Sequence, residues 1–189
     1  QYKSFTKFIL INNKIKKPAG LVIVYTGEGK GKTTAAIGLA IRAAGWRKKI
    51  AVIQFIKGYK EIGEWKFLES IKQIDIYQTH DSKIASIGLP NNQHKSSCLK
   101  SLKMLKTLIN KDEHDVLILD EINNAISYDL VEAGEIIKIL NDRPVRQTVI
   151  LTGRNAPEEI LEIADLVTEM KNIKHPYDIG IQAKRGIDY

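Results

Sequence analysis

Apolar positions along the chain fall into two alternating kinds of segment. Short, nearly continuous apolar runs occur at Leu21–Val24, Ile50–Ile56, Ile74–Tyr77, Asp115–Leu119, Gln147–Thr152 and Leu166–Met170. Runs of this length, rich in Val and Ile and bounded by polar residues or glycine, predict strands buried on both faces, as in a parallel sheet. Between them apolar residues recur at helical spacing. The predicted helices are Ala35–Ala44, a short one over Gly63–Leu68, one carrying Leu99, Leu102, Leu105, Leu108 and Ile109 with Lys100, Lys103 and Lys106 turned elsewhere, Leu130–Leu140, and one from Pro157 to about Ala164. Gly45 stands where a helix C-terminal glycine is expected, and Pro157 suits a helix start. Residues 79–93 carry no readable pattern, and 171–189 read as a tail. Strands alternating with helices predict an α/β fold with a mostly parallel sheet covered on both faces. With no repeat and no linker, residues 20–189 form one domain. A polar lead, 1–19, precedes it, and its Phe5, Phe8, Ile9 and Leu10 could line one side of a short helix; the lead serves either as a frayed terminus or as a flap over the site.

The first predicted strand runs into Thr26-Gly-Glu-Gly-Lys-Gly-Lys-Thr-Thr34, and a helix follows at once. Gly27, Gly29 and Gly31 open backbone angles closed to other residues, so successive amides can curl around an anion at the positive end of the new helix. Lys32 adds a cation, and the Thr33 hydroxyl can ligate a magnesium ion carried by phosphates. The spacing departs from the general phosphate-loop pattern: Thr26 stands where its first glycine belongs, and Gly27 comes one residue late.

Other candidate groups fall at predicted strand ends. Asp120 and Glu121 follow the apolar run Val116–Leu119, the form of an acidic motif that holds magnesium beside the loop threonine. Lys57 follows the second strand, and Arg154 follows Thr152-Gly153, where a guanidinium fork suits phosphate oxygens. Open parallel sheets bind ligands beyond the carboxyl ends of their strands, so Lys32/Thr33, Lys57, Asp120/Glu121 and Arg154 are expected to face one crevice. His175 reads as a turn residue beside Pro176, His80, His94 and His114 as surface residues, and Trp46 and Trp65 as packing residues.

Composition narrows the partners. The 189 residues carry a formal charge of +7 with lysines scattered rather than gathered on one face, which favours a polyanionic small substrate over nucleic acid. No apolar run reaches the length of a membrane span. The single cysteine, Cys98, forms neither an internal disulfide nor a cysteine zinc site, which points to a reducing compartment. The sequence opens on Gln1 rather than Met, which leaves room for an upstream start. Phe5–Ile11 lacks the cleavage site of a secretory signal. A cytoplasmic location is the default expectation.

On Thr26–Thr34, Val52–Gly58 (V-I-Q-F-I-K-G), Leu117–Ile122 (L-I-L-D-E-I), Thr148–Arg154 (T-V-I-L-T-G-R) and the tail Lys174–Tyr189, the chain resembles the P-loop ATP:corrinoid adenosyltransferases. The late first glycine and the tail are traits of that family. The resemblance implies a RecA-like P-loop NTPase fold and transfer of the 5′-deoxyadenosyl group of ATP to Co(I) of a reduced corrinoid, with triphosphate released, in adenosylcobalamin biosynthesis. It implies ATP as co-substrate, magnesium, a corrinoid substrate, a homodimer and a supply of Co(I), for which a reductase is one source. The site implied comprises Thr26, Gly27, Glu28, Gly29, Lys30, Gly31, Lys32, Thr33, Thr34, Lys57 and Arg154 for the nucleotide. Thr33, Asp120 and Glu121 are implied for the metal, and Lys32, Glu121 and Arg154 for catalysis. Two stretches differ from the resemblance: Glu28 stands where relatives have Asn, and Thr79–Leu89 has no aromatic residue where relatives place the rings that hold the corrinoid. Three alternatives stay open at this point: a RecA-like ATPase acting on nucleic acid, a nucleoside kinase, and a nucleotide-binding relative without corrinoid activity.

Overall fold

A computed structural model describes residues 19–56, 62–79 and 92–188. The first eighteen residues, the 80–91 stretch and Tyr189 lie outside that description, as does the lead segment proposed as a flap. Among the described residues six strands and six α-helices follow in the order β1 (Val22–Thr26), α1 (Lys32–Gly45), β2 (Ile50–Gln54), α2 (Gly63–Leu68), β3 (Ile74–Gln78), α3 (Asn92–Lys111), β4 (Val116–Asp120), α4 (Ile122–Ser127), α5 (Ala133–Asn141), β5 (Thr148–Thr152), α6 (Glu158–Ile163) and β6 (Leu166–Glu169). The strands form one sheet in the order β3-β2-β4-β5-β1-β6, and every pairing is parallel.

Alternation along each strand sorts the core into two layers. Ile23, Ile50, Val52, Val116, Ile118 and Ile150 pack against α1 and α2. Val22, Val24, Ala51, Ile53, Leu117, Leu119, Val149 and Leu151 pack against α3 to α6. Both sets are aliphatic, so the central strands read as unbroken apolar runs. Register aligns the first set across the sheet as Ile76, Val52, Ile118, Ile150 and Ile23. Two residues further along each strand, on the same face, stand Gln78, Gln54, Asp120, Thr152 and Tyr25. The face thus changes from aliphatic to polar at the carboxyl edge.

Several expectations are corrected. α4 was not expected: Ile122, Ala125 and Ile126 bury one side of a single turn and a half, too short for periodicity to register. The helix expected from Leu130 begins at Ala133, with Leu130 and Val131 buried ahead of it. Gly45 is still helical, and the left-handed residue that ends α1 is Arg47, with φ of 58°. His94 and His114 are buried, not surface residues; His114 Nε2 lies 2.8 Å from Asp75 Oδ2, a contact across the start of β3 that sequence separation hides. Trp46 is 81% exposed and packs nothing, whereas Trp65 is buried beside Leu68 as expected. Cys98 is buried, donates its thiol to the Phe55 carbonyl at 3.1 Å, and is pushed by burial up to a pKa of about 12.

At the amino edge of the sheet Asp115 ties three strand starts together. Its carboxylate accepts the Lys49 amide at 3.0 Å and pairs with Lys48 at 3.4 Å and Arg146 at 3.2 Å. Burial works to raise its pKa, but the Lys49 amide, Lys48 and Arg146 outweigh burial and hold it below the ordinary 3.8. A carboxylate depressed in the folded state stabilises fully above its unfolded pKa, and that contribution disappears as pH falls through the folded pKa. In acid titrations followed by circular dichroism, Asp115→Asn is therefore expected to lower stability at neutral pH. It is also expected to flatten the decline below pH 3.8; a parental acid slope in the variant would exclude this role.

Candidate functional site

The carboxyl edge of the sheet opens into a cavity of about 1070 Å³. The phosphate-type loop forms its floor. Gly31 precedes α1 in the left-handed region, with φ of 110°, a conformation costing about 1–2 kcal/mol with any side chain. The Gly29 position is fixed by space instead: a Cβ there would lie 2.6 Å from the Lys171 carbonyl oxygen. A Cβ at Gly27 would lie 2.5 Å from that of Met170. The glycine pattern thus answers to the backbone that follows β6, which explains why it does not copy the general spacing. One loop expectation is corrected: the Gly29 amide donates to the Met170 carbonyl at 2.6 Å, so it is committed to the fold and does not point toward an anion.

Lys32 curls back over the loop, donating to the carbonyls of Gly27 at 2.6 Å and Gly29 at 2.7 Å. Thr33, on the first turn of α1, donates its hydroxyl to Asp120 Oδ1 at 2.9 Å. Thr26 lies below the floor, where its hydroxyl accepts the Ala156 amide at 3.2 Å. Glu28, Gly29, Lys30, Gly31 and Thr34 all line the cavity. Glu28 meets Arg154: its Oε2 lies 3.3 Å from the Arg154 Nε, and both side chains are exposed.

Asp120 is buried at the end of β4. Its Oδ1 accepts from Thr33 and, at 2.8 Å, from Thr152; its Oδ2 faces Gln54 Nε2 at 3.4 Å. Gln78 in turn donates to Gln54 Oε1 at 2.7 Å. Glu121 adopts φ of 61°, and its amide donates to Thr152 Oγ1 at 3.0 Å. Thr33, Asp120 and Glu121 all line the cavity. These hard oxygen donors suit magnesium, which typically takes one or two carboxylates and completes its shell with water and substrate phosphates. Among the described residues no group of three or more His, Cys, Asp and Glu is placed to hold a metal.

The turn after β5 is braced by α4. Asn124 Oδ1 accepts the Arg154 amide at 2.6 Å, and Asn123 Nδ2 donates to the Gly153 carbonyl at 3.4 Å. Ile56, Ile62 and Tyr128 add apolar and aromatic side chains to the lining, and Trp65, buried beside Leu68, borders it. The tail crosses the mouth. His175 caps the 3-10 turn Pro176–Ile179, its Nδ1 accepting the Tyr177 amide at 3.1 Å, the turn role expected of it. Asn172, His175, Tyr177, Asp178 and Asp188 line the cavity, and Asp188 pairs with Lys30.

Lys32, Thr33, Asp120, Glu121 and Arg154 thus share one cavity, as their positions at strand ends require, whereas Lys57 lies outside the described residues. So does the aromatic-free stretch after Thr79. Gln54, Gln78, Thr152, Asn123, Asn124 and Tyr128 were not singled out from the sequence. The signal for the first three was parity: each lies an even number of residues after an inward-facing aliphatic of its own strand.

Comparison with known proteins extends this. The family described as ATP:corrinoid adenosyltransferase BtuR/CobO/CobP matches residues 18–189. The chain is 39% identical over 175 residues to the corrinoid adenosyltransferase of Escherichia coli (strain K12), covering 90% of this chain and 86% of that protein. It is 38% identical, with the same coverage, to the corrinoid adenosyltransferase CobA of Salmonella typhimurium, and 37% identical to that of Sinorhizobium sp, covering 90% of this chain and 80% of that protein. Among solved structures, the flagellar accessory protein FlaH from Methanocaldococcus jannaschii superposes with a TM-score of 0.53 over 80% of this chain and 71% of its own, at 15% identity. That likeness concerns the fold alone.

Gly153 offers a direct check of the braced turn. Its φ is 132°, and a Cβ would lie 2.4 Å from Asn124 Oδ1. Gly153→Ala is expected to destabilise by about 1–3 kcal/mol in denaturant melts, the usual cost of a strained backbone. A parental midpoint would show the turn to be slack.

Proposed function

The chain belongs to the ATP:corrinoid adenosyltransferase family, and from that membership we propose how its crevice carries out the transfer. The enzyme moves the adenosyl group of ATP to a corrinoid. ATP lies with its triphosphate on the loop from Gly27 to Thr34, held by main-chain amides and by Lys32, which exchanges its contacts with the loop carbonyls for phosphate oxygens. Arg154 leaves its exposed pair with Glu28 to reach the same phosphates. Magnesium, held by Thr33, Asp120 and Glu121 together with the nucleotide, supplies charge neutralisation for the leaving group.

Co(I) of the reduced corrinoid attacks the ribose 5′ carbon. The cobalt–carbon bond forms with the metal's electron pair, the carbon–oxygen bond breaks, and its pair departs with triphosphate. Because the nucleophile brings its own electrons, no general base is required. The chain's task is to hold developing negative charge with preorganised donors and to present carbon rather than phosphorus.

The observation that supports this reading is that one cavity is lined both by the loop from Glu28 to Thr34, with Lys32, and by Ile56, Ile62 and Tyr128. Pockets for one small ligand span about 300–1,000 Å³, and a volume of about 1070 Å³ stands at the upper end of that range, as a nucleotide site requires. Tyr128 and Tyr177, both exposed, supply aromatic surface that Thr79–Leu89 lacks. We further propose that the enzyme acts in the cytoplasm as a homodimer, with Co(I) supplied by a reductase. No helix among the described residues is long and apolar enough to cross a membrane. The buried thiol of Cys98 suits a reducing compartment, and Ile173, Ile179 and Ile187 expose apolar surface that self-association would cover. Family membership favours the transferase over an ATPase acting on nucleic acid.

With ATP, magnesium and chemically reduced cobalamin, the Co(I) absorbance is expected to disappear as a light-sensitive adenosyl product forms, with triphosphate as co-product. Formation of only ADP and orthophosphate would sink the proposal. Lys32→Ala is expected to abolish ATP binding in calorimetry, and near-parental affinity would refute the placement of the triphosphate.

A further inference from the structure

Thr152 touches neither of the substrates as placed above, yet a single hydroxyl there joins both acidic residues of the site. It is fully buried, and its Oγ1 donates to Asp120 Oδ1 at 2.8 Å while accepting the Glu121 amide at 3.0 Å. The first bond shares Oδ1 with the Thr33 hydroxyl, so the carboxylate is approached by Thr152 from the sheet and by Thr33 from the helix. The second holds the amide of a residue at φ of 61°. A non-glycine residue in that region costs about 1–2 kcal/mol, and a fixed partner for its amide helps the turn to persist. Asp120 and Glu121 both line the cavity, Asp120 from a buried position and Glu121 from a partly exposed one.

We infer that Thr152 is the positioning residue for the metal-bearing carboxylates: it fixes which face of Asp120 meets Thr33 and sets the turn that delivers Glu121. This rests on the reading that magnesium sits on Thr33, Asp120 and Glu121. Register explains why the group must come from this strand. β5 lies beside β4, Leu151 pairs with Leu119, and the next residue of each strand points to the same face. A hydroxyl is required there because it donates and accepts at once. Valine would fill the space but remove the Thr152 acceptor from the Glu121 amide and the Thr152 donor from Asp120.

The test uses the full-length chain and Mn²⁺ as the metal probe. Bound Mn²⁺ is counted by electron paramagnetic resonance during ATP titration, and ATP binding is measured separately in EDTA. Partners that orient metal ligands are commonly worth 10–100-fold in metal affinity, so Thr152→Val is expected to weaken Mn²⁺ binding in the ternary complex by about 10-fold. Metal-free ATP affinity should stay unchanged, and Thr152→Ser should restore parental binding. Equal losses with and without metal would overturn the inference, as would parental Mn²⁺ affinity in Thr152→Val. Should the valine variant fail to fold, Thr152→Ser is compared with Thr152→Ala, and a serine variant as weak as the alanine one counts against it. Thr33→Ala separates the two levels. If that variant keeps its Mn²⁺ affinity, the metal placement itself is wrong; if it loses affinity while Thr152→Val does not, only the role of Thr152 falls.

Discussion

The in-register alignment of the central strands is the constraint on which the rest depends. Aliphatic side chains lock β2, β4, β5 and β1 at one height, and that lock lines up the last inward-facing residues as a polar row ending beneath Thr33. Slipping any strand by one residue would turn its polar member to the opposite face. The hydrogen bonds among Gln78, Gln54, Asp120 and Thr152 are therefore consequences of core packing. Burying Gln54, Asp120 and Thr152 is tolerable because they bond to one another and to their neighbours; a buried polar group left without a partner costs about 1–3 kcal/mol.

This arrangement divides labour cleanly. The sheet supplies acidic oxygens at fixed height, α1 supplies the hydroxyl and cation, and α4 braces the turn that carries Arg154. None of these parts has to move a proton. A site built to hold charge on a departing group can rely on main-chain amides and fixed dipoles, which lose nothing to reorganisation as the reaction proceeds. Glu121 holds a left-handed turn at φ of 61°, and Gly27, Gly31 and Gly153 give the loops around the cavity positive φ angles that glycine adopts without strain.

Much of this was legible in the residues. The strands announced themselves because parallel strands covered on both sides are apolar at every position, and the groups at their ends had to converge. What stayed hidden was whatever depended on contacts distant in sequence. Asp75 and His114 are 39 residues apart, so nothing local marked His114 as buried. α4 is a turn and a half, shorter than the window in which helical period can be seen. Trp46 looked like core by residue type, but the exit of α1 leaves it in solvent. Glu28 looked misplaced until Arg154, which comes from another loop, was seen beside it.

The glycines of the loop carry one more consequence. The atoms that forbid side chains at Gly27 and Gly29 are carbonyl oxygens of residues 170 and 171, which every amino acid possesses. The mould is therefore made of main chain and its casting of sequence. Over evolutionary time the side chains at 170 and 171 are free to drift without disturbing those two glycines, whereas an insertion or deletion there would reshape the loop. Pairwise covariation would miss this dependence, because one partner leaves no trace in the alphabet.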